Sequence, residues 1–397
     1  MIKKNLLVFI CLFFFVSNVC SSNFIFNTSP DYSSKTLYVG GSGPGNYSRV
    51  QDAIDNATNG DTVFVFVRTY PYFENLIIDK SINLIGEDKY STVIDGNNQG
   101  NTIIIEHDNV QVTGFTISNG NETAGILGWY IAGIRITASH VDIKNNIITN
   151  NRIGVFIKNS KNLEIENNSF INDCIVIAPY DQEAFYTPFI EEYYKHTIVN
   201  NTINGKPLYY HYRISDTIIP SDGGQVILVS CQNILIQNTH FSDSDFAIIL
   251  INCSENIIRN NTLLNGSAGL LWLLYSNNNL LINNTIAYNL EGICFDQASS
   301  HNHVKYNILD SNSHINLMIE SRSNHNKIHD NNIIGITNIH AYLLNSFQTS
   351  FKNNHWGDHT SNLPKIIRGE LTPFFLPTLR LPWFGIDWNP NPQPNIF

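Results

Sequence analysis

From about residue 60 onward, apolar and polar positions alternate in short runs rich in Ile, Val, Leu and Phe, each run broken by Asn, Gly or Ser. The period within a run is two. No segment of that stretch keeps the helical period of 3.6 over a dozen residues, so the pattern predicts short strands. One phrase, "ENIIRNNTLLNGSAG" at residues 255–269, returns many times. With the first Asn of Asn260-Asn261 as reference, equivalents stand at Asn145, Asn167, Asn200, Asn238, Asn260, Asn283, Tyr306, Asp330 and Asn353, in steps of 22, 33, 38, 22, 23, 23, 24 and 23 residues. The position two before the reference is always apolar, from Ile143 to Phe351, and so is the position three after it, from Ile148 to Trp356.

A repeat near 23 residues is a solenoid period, and the two long steps mark insertions. Strands of successive coils would stack as parallel sheets ~4.8 Å apart, wound right-handed as parallel crossovers are. The expected fold is therefore all-β: a right-handed parallel β-helix with three short strands per coil and on the order of ten coils. The Asn-Asn phrase reads as a corner. Asn tolerates the left-handed conformation that a sharp bend demands, and stacked Asn side chains can hydrogen-bond along a ladder. Seven residues before the reference lies a column of small residues, among them Cys231, Cys253, Ser276, Ser299 and Ser323. Cys231 and Cys253 stand there in place of serine on adjacent coils. A disulfide between them stays open, although in-register stacking holds their Cβ atoms rather far apart.

The ends of the chain break the pattern. Residues 1–22 carry Lys3, Lys4 and the apolar run Leu6–Val16, followed by small residues, and read as a secretory signal peptide rather than a span of ~20 residues. Residues 23–35 read as a linker or disordered segment. Residues 36–60 read as a strand and a capping helix: Val50, Ala53, Ile54 and Ala57 share a face, and Ser48 with Gln51 forms a capping box. The β-helix is expected over 61–360, with insertions near 118–132, 174–195 and 209–224. The Pro- and Trp-rich residues 361–397 would cap its far end, as an open solenoid requires.

Composition narrows the partners. Charged residues are 14% of the chain, net charge is −10 and pI about 5.7. A nucleic-acid or anionic-membrane partner would need a basic surface. The polarity comes instead from 56 Asn residues. There is no Gly-rich phosphate loop, Gly-x-Ser-x-Gly, His-Glu-x-x-His or Cys-x-x-Cys.

The segments "GDTVFVFVRTYPYFENLIIDKSINLIGE", "STVIDG", "NGKPLYYHYRISDTIIPSDGGQVILVSCQN" and "NNHWGD" resemble NosD-like right-handed β-helix proteins. In look they are closest to the secreted or surface β-helix proteins common in archaea. The resemblance covers nearly all the chain from Thr36 onward. It implies a pectate-lyase-like architecture, which some members use to bind or cleave carbohydrate. It also brings the name of a periplasmic factor in copper-site assembly. No catalytic motif carries over residue by residue.

Three chemistries have candidate residues. The insertion near 174–195 and the "YYHYR" after it supply Tyr180, Tyr186, Tyr193, Tyr194 and Tyr210 beside Asp181 and Glu183. Aromatic faces suit sugar rings and paired carboxylates suit hydrolysis. The competing reading is a lid over an apolar sheet face, and "GLLWLLY" at 269–275, apolar nearly throughout, needs such a cover. Asp243 and Asp245, with Arg213 as a base, are candidates for a Ca²⁺-assisted lyase. His301 and His325, 24 residues apart, with His303 and His329, are candidates for copper. The expected function is a secreted or cell-surface module, non-catalytic, that contacts a polysaccharide or a surface protein. The alternatives are a polysaccharide lyase, glycoside hydrolase or epimerase, and a copper-binding maturation factor.

Overall fold

Parallel pairing repeats from coil to coil and builds the long sheets of the solenoid. The computed structural model describes residues 34–122, 131–178, 186–266, 271–373 and 379–397. In the N-terminal half, the strands Thr36–Val39, Thr62–Val65, Asn83–Gly86, Gln111–Thr113, Asp142–Lys144, Glu164–Glu166 and Thr197–Val199 stack in order. Pairing is in register, as in Ile143↔Val112 and Ile143↔Ile165. A tight turn at Gly205, with φ of 79°, folds Lys206–Pro207 antiparallel onto Thr202–Ile203. The same strand then opens a second stack, Lys206–Tyr212, Gln225–Val229, Ile248–Ile251, Leu271–Leu274, Glu291–Asp296, Ile315–Glu320 and Ile339–Leu344. The solenoid makes about 14 turns of about 23 residues. The additional turns over the sequence expectation lie before Asn145, where strands such as "TVFV" and "NLIG" stack without the Asn-Asn phrase.

Inside the coil, alternate residues interlock. Leu228, Leu250, Leu273 and Phe295 are fully buried in one column. Burying such a side chain contributes about 1.5–3 kcal/mol, so the stack is held chiefly by nearest-neighbour contacts.

The corner divides its work between the two residues of the phrase. All nine reference positions, Tyr306 and Asp330 included, sit at φ between 53° and 58°, the left-handed region that Asn enters most readily. The residue after each is buried, and there the ladder forms. Asn261 donates its backbone N–H and its amide to the Asn284 side-chain oxygen at 3.0 and 3.1 Å. Asn284 does the same to Asn307, Asn307 to Asn331, and Asn331 to Asn354. The last rung gives both donors to Asp387 Oδ2, at 3.1 and 3.0 Å. Parallel ladders run through Asn256, Asn279, Asn302 and Asn326 and through Asn289, Asn312 and Asn316.

The ends differ from expectation in detail. Helix Val50–Asn56 buries Val50, Ala53 and Ile54, but its N-terminus uses no capping box. The Glu74 carboxylate, from a later coil, accepts from the N–H groups of Val50 and Gln51 at 2.9 and 3.0 Å. A carboxylate does this better than a serine hydroxyl because it satisfies two orphan donors and complements the helix dipole. At the other end, Lys365–Leu371 and Leu381–Asp387 form an antiparallel hairpin whose strands also pair in parallel with Leu343–Leu344 and Phe351.

Asn284→Ala should destabilise the protein by about 2–4 kcal/mol, because it strands the buried N–H of Asn261 and the carbonyl of Ile258. Asn283→Gly should change stability by less than about 0.5 kcal/mol, since glycine takes a positive φ freely. Urea unfolding of the two variants measures the contrast, and equal losses would contradict this division of labour.

Candidate functional site

The second stack is apolar on both faces. Its inward column belongs to the core of the coil, whereas Ile227, Val229, Ile249, Ile251, Trp272, Leu274 and Cys294 point outward into a second cluster. The described part of the insertion covers them. Phe189 stacks on Tyr194 at 5.3 Å and meets Tyr275 at 5.3 Å. Thr187 N–H donates to Gln297 Oε1 at 2.8 Å, and the Tyr275 hydroxyl donates to the Thr187 carbonyl at 2.9 Å. The insertion is thus a strap, which accounts for the apolar strand Leu271–Leu274.

This placement redistributes the predicted sugar contacts. Tyr194 is 1% exposed and its ring is spent in the strap's packing. Tyr210 donates its hydroxyl to the Tyr194 carbonyl, and burial pushes its pKa up. The Tyr194 ring is enclosed, whereas the Tyr210 ring is half-buried. Tyr193 is half-buried, with the Lys161 ammonium 5.4 Å from its ring. Tyr186 is exposed beneath the Arg322 guanidinium, 4.7 Å away. Tyr180, Asp181 and Glu183 lie outside the described residues.

The lyase candidates occupy separate corners. Arg213 is exposed and pairs with Glu191, its Nε 2.8 Å from Oε1, which lowers the Glu191 pKa. Asp243 sits at an exposed corner with φ of 53°. Asp245 is buried beside Cys174, whose thiol is 4.0 Å from its carboxylate. Among the described residues, no three His, Cys, Asp or Glu side chains group as a metal site, so Asp243 and Asp245 form no calcium cage.

The histidines stack, but as corners. His301 and His325 lie ring on ring at 5.0 Å with planes 16° apart. Both have positive φ, like Asn278 one coil before. Their nitrogen lone pairs lie in the ring planes, so parallel rings do not aim them at one ion. His303 and His329 meet edge to face at 5.5 Å, and His329 Nε2 is 2.9 Å from the Ser350 hydroxyl. These four residues do not fit a copper centre.

Cys231 and Cys253 are buried free thiols that extend the serine column. Cys231 N–H donates to Cys253 Sγ at 3.4 Å, as Cys253 N–H donates to Ser276 Oγ and Ser276 N–H to Ser299 Oγ, both at 3.0 Å. Contact with Cys253 holds the Cys231 thiol down to about 7, while burial raises Cys253.

Two sites escaped the sequence reading. The first is a carboxylate pair. Asp296 and Glu320 end neighbouring strands whose register is Phe295↔Ile319, so they stack on the outward face where the strap runs out. Burial pushes Asp296 up to about 6. Burial, and then the Asp296 charge, raise Glu320 well above the usual carboxylate range. The available signal was two acids in an otherwise apolar column, 24 residues apart. The second is a cleft of 780 Å³ between residues 337–342 and 356–368. Its lining includes His340, Tyr342, Asp358, His359, Lys365 and Arg368. Lys365 Nζ lies 2.6 Å from Asp358 Oδ2, and His340 Nε2 is 3.7 Å from Oδ1. Burial lowers the His340 pKa. No local motif announces this cleft, because it forms between the last coil and the hairpin.

Comparison with known proteins agrees with this architecture. Residues 132–272 match the family described as a right handed beta helix region, in agreement with the parallel β-helix fold. Within that class it is NosD-like: residues 209–373 match the family described as periplasmic copper-binding protein (NosD). No curated protein sequence matches the chain significantly. Among solved structures, a pectin methylesterase from carrot superposes with a TM-score of 0.32 at 11% identity, covering 68% of this chain and 82% of its own. A GH136 lacto-N-biosidase from Eubacterium ramulus gives 0.36 at 13% identity, covering 81% and 68%. An alginate lyase from Paenibacillus gives 0.33 at 13% identity, covering 80% and 95%. Overlaps this loose carry no chemistry to the present chain.

The acid pair has a pH signature. Folding raises the Asp296 pKa from 3.8 to about 6, so the folded state holds the proton more tightly. Its stabilisation is full below the unfolded value and is lost as pH rises through the folded one. Asp296→Asn removes this loss. The variant should melt increasingly above wild type from pH 4 to pH 7, and parallel melting curves across that range would contradict the pairing.

Proposed function

We propose that this chain is an exported or surface-bound module that binds a glycan in the cleft at its C-terminal end without turning it over. The observation that carries the proposal is the cleft itself, whose 780 Å³ is a size typical of ligand sites. Its polar groups suit a hydroxyl-rich ligand. Lys365, Arg368 and His359 can donate, Asp358 can accept, and Tyr342 presents an aromatic ring. Among the described residues, Arg213, Asp243 and Asp245 lie at separate corners, which favours binding over cleavage. Export is supported by the signal-like segment at residues 1–22 and by the periplasmic description of the matching family.

A second reading rests on Asp296 and Glu320. Two stacked carboxylates with raised pKa values, one near 6, are the state in which a carboxyl group serves as general acid near neutrality. On that reading the chain hydrolyses a polysaccharide laid along the outward face beside Tyr186 and Arg322.

A polysaccharide array with the purified protein, in Ca²⁺ and in EDTA, scored for both binding and released sugar, separates the two. Binding without release is expected. Tyr342→Ala and Lys365→Ala should each weaken it by about tenfold, the equivalent of ~1.4 kcal/mol, and Tyr186→Ala by less. Binding indifferent to both cleft variants would overturn the cleft as the site. Release of reducing ends, abolished by Glu320→Gln, would establish the hydrolase instead.

A further inference from the structure

The strands that lead into the Asn corner turn a middle residue inward and the two flanking residues outward, as in His303-Val304-Lys305. In the N-terminal half the outward pairs carry both signs: Lys144 lies 3.2 Å from Asp142 on its own strand and 2.5 Å from Glu164 on the next. Near the C-terminus the same positions hold cationic residue types and one serine. His303, Lys327 and Ser350 stack in one column, and Lys305, His329 and Lys352 in the other. Steps along a column are ~4.8 Å, and the columns stand roughly 6–7 Å apart. Like charges at such separations repel. Burial lowers the His303 pKa, and the charges of His329, Lys305 and Lys327 lower it further. In contrast to Lys144 and Lys365, none of the three lysines has a carboxylate partner among the described residues. The acids whose charge reaches this grid are engaged: Asp330 Oδ1 accepts from the Asn353 amide at 3.1 Å, and buried Asp387 closes the amide ladder. A chain of net charge −10 thus gathers unpaired positive charge on one flat face.

We propose that Lys305, Lys327 and Lys352, with His303 and His329 between them, form the docking face for a sulfated polysaccharide lying along the solenoid axis. Complementary charge from outside relieves the repulsion within the grid. The cations recur from coil to coil, so the matching partner is an extended polymer with charge at intervals rather than a single ion. The choice of sulfate follows from the donors. Carboxylate recognition favours the planar fork of arginine, and the grid has none. Arg259, two coils earlier in the same column, is engaged with Gln237 at 2.9 Å. Lysine ammonium groups are point charges, and a sulfate ester spreads one charge over three oxygens that such groups reach from different coils. The choice of polysaccharide follows from Tyr306, at the corner next to Lys305. Its ring is 37% exposed, 5.7 Å from the Phe397 ring and 5.6 Å from the Lys305 ammonium. The apolar face of a sugar can lie on that ring while its ester meets the lysine. This face is distinct from the C-terminal cleft and does not depend on binding there.

The full chain is titrated calorimetrically with dextran sulfate and with carboxymethyl dextran of equal charge density, and unmodified dextran sets the baseline for uncharged contacts. Dextran sulfate should bind about tenfold more tightly than carboxymethyl dextran, and its affinity should fall as salt screens the grid. Replacing Lys305, Lys327 and Lys352 together by Gln should weaken dextran sulfate binding by more than about tenfold, and Lys352→Gln alone by about threefold. Lys144→Gln, at a lysine already paired, should leave it unchanged. The three lysines are on the surface, and melting temperatures confirm that the variants fold. Equal binding by wild type and the triple variant would overturn the grid as the site. Equal affinity for the two dextran derivatives would overturn the choice of sulfate. Tighter binding of duplex DNA or of phosphatidylserine vesicles, lost in the triple variant, would overturn the polysaccharide. The cleft is tested on Tyr342 and Lys365, so either reading can fail without the other.

Discussion

Everything in this solenoid depends on the buried amide ladder at its corners. A coil must turn sharply three times, and each turn removes backbone groups from the sheet while leaving them in the interior. Left unpaired there, each would cost on the order of 1–3 kcal/mol. The second Asn of each phrase repairs the defect. Its oxygen accepts a backbone N–H from the coil before, while its amide reaches back to a carbonyl such as that of Ile258 and forward to the next Asn. A serine hydroxyl repairs two such groups, as Ser276 Oγ accepts the Cys253 N–H and donates to the Leu250 carbonyl, but only Asn offers an acceptor and two donors on so short a stem.

The surface available for binding follows from how the sheets are dressed. The outward face of the second stack is apolar over several coils and would be a liability if bare. The strap from residue 186 to Tyr194 lies against it, with Phe189 and Tyr194 packed on Tyr275 and on each other. Where the strap runs out, the outward column changes from Leu274 to Asp296 and Glu320. Where the last coil meets the hairpin, the cleft opens with His340, Asp358 and Lys365. Polar chemistry is therefore concentrated toward the C-terminal end of the second stack.

Much of this architecture was legible in the sequence, because one side chain dominates its corners. The 23-residue step and the two apolar columns on either side of the Asn pair gave strand, coil and register from Asn145 to Trp356. The first four coils were less visible, since their corners use other residues. The small-residue column placed Cys231 and Cys253 together because stacking turns a sequence period into proximity. The candidate sites were much less legible. Tyr194 and Tyr210 looked like ligand contacts because composition does not reveal which way a ring faces. The Glu74 cap, the Asp296–Glu320 pair and the cleft each join residues whose encounter depends on how a strap or hairpin docks. No local spacing encodes that.

The ladder also has a direction. Each rung from Asn261 onward gives its N–H and one amide hydrogen toward the C-terminus and receives from the N-terminal side, and this ladder ends on a group that only accepts. Asp387 is that group, taking the N–H and amide of Asn354 and the indole N–H of Trp356 at 3.0 to 3.1 Å. A coil duplicated anywhere upstream would insert one rung that both gives and receives, and the sequence of donors would remain matched. Loss of the last strand would leave the open end with unmet donors. Gene duplication can therefore lengthen this protein from within, while its terminus is held to a carboxylate, and the number of coils is free to drift in a way that the final strand is not.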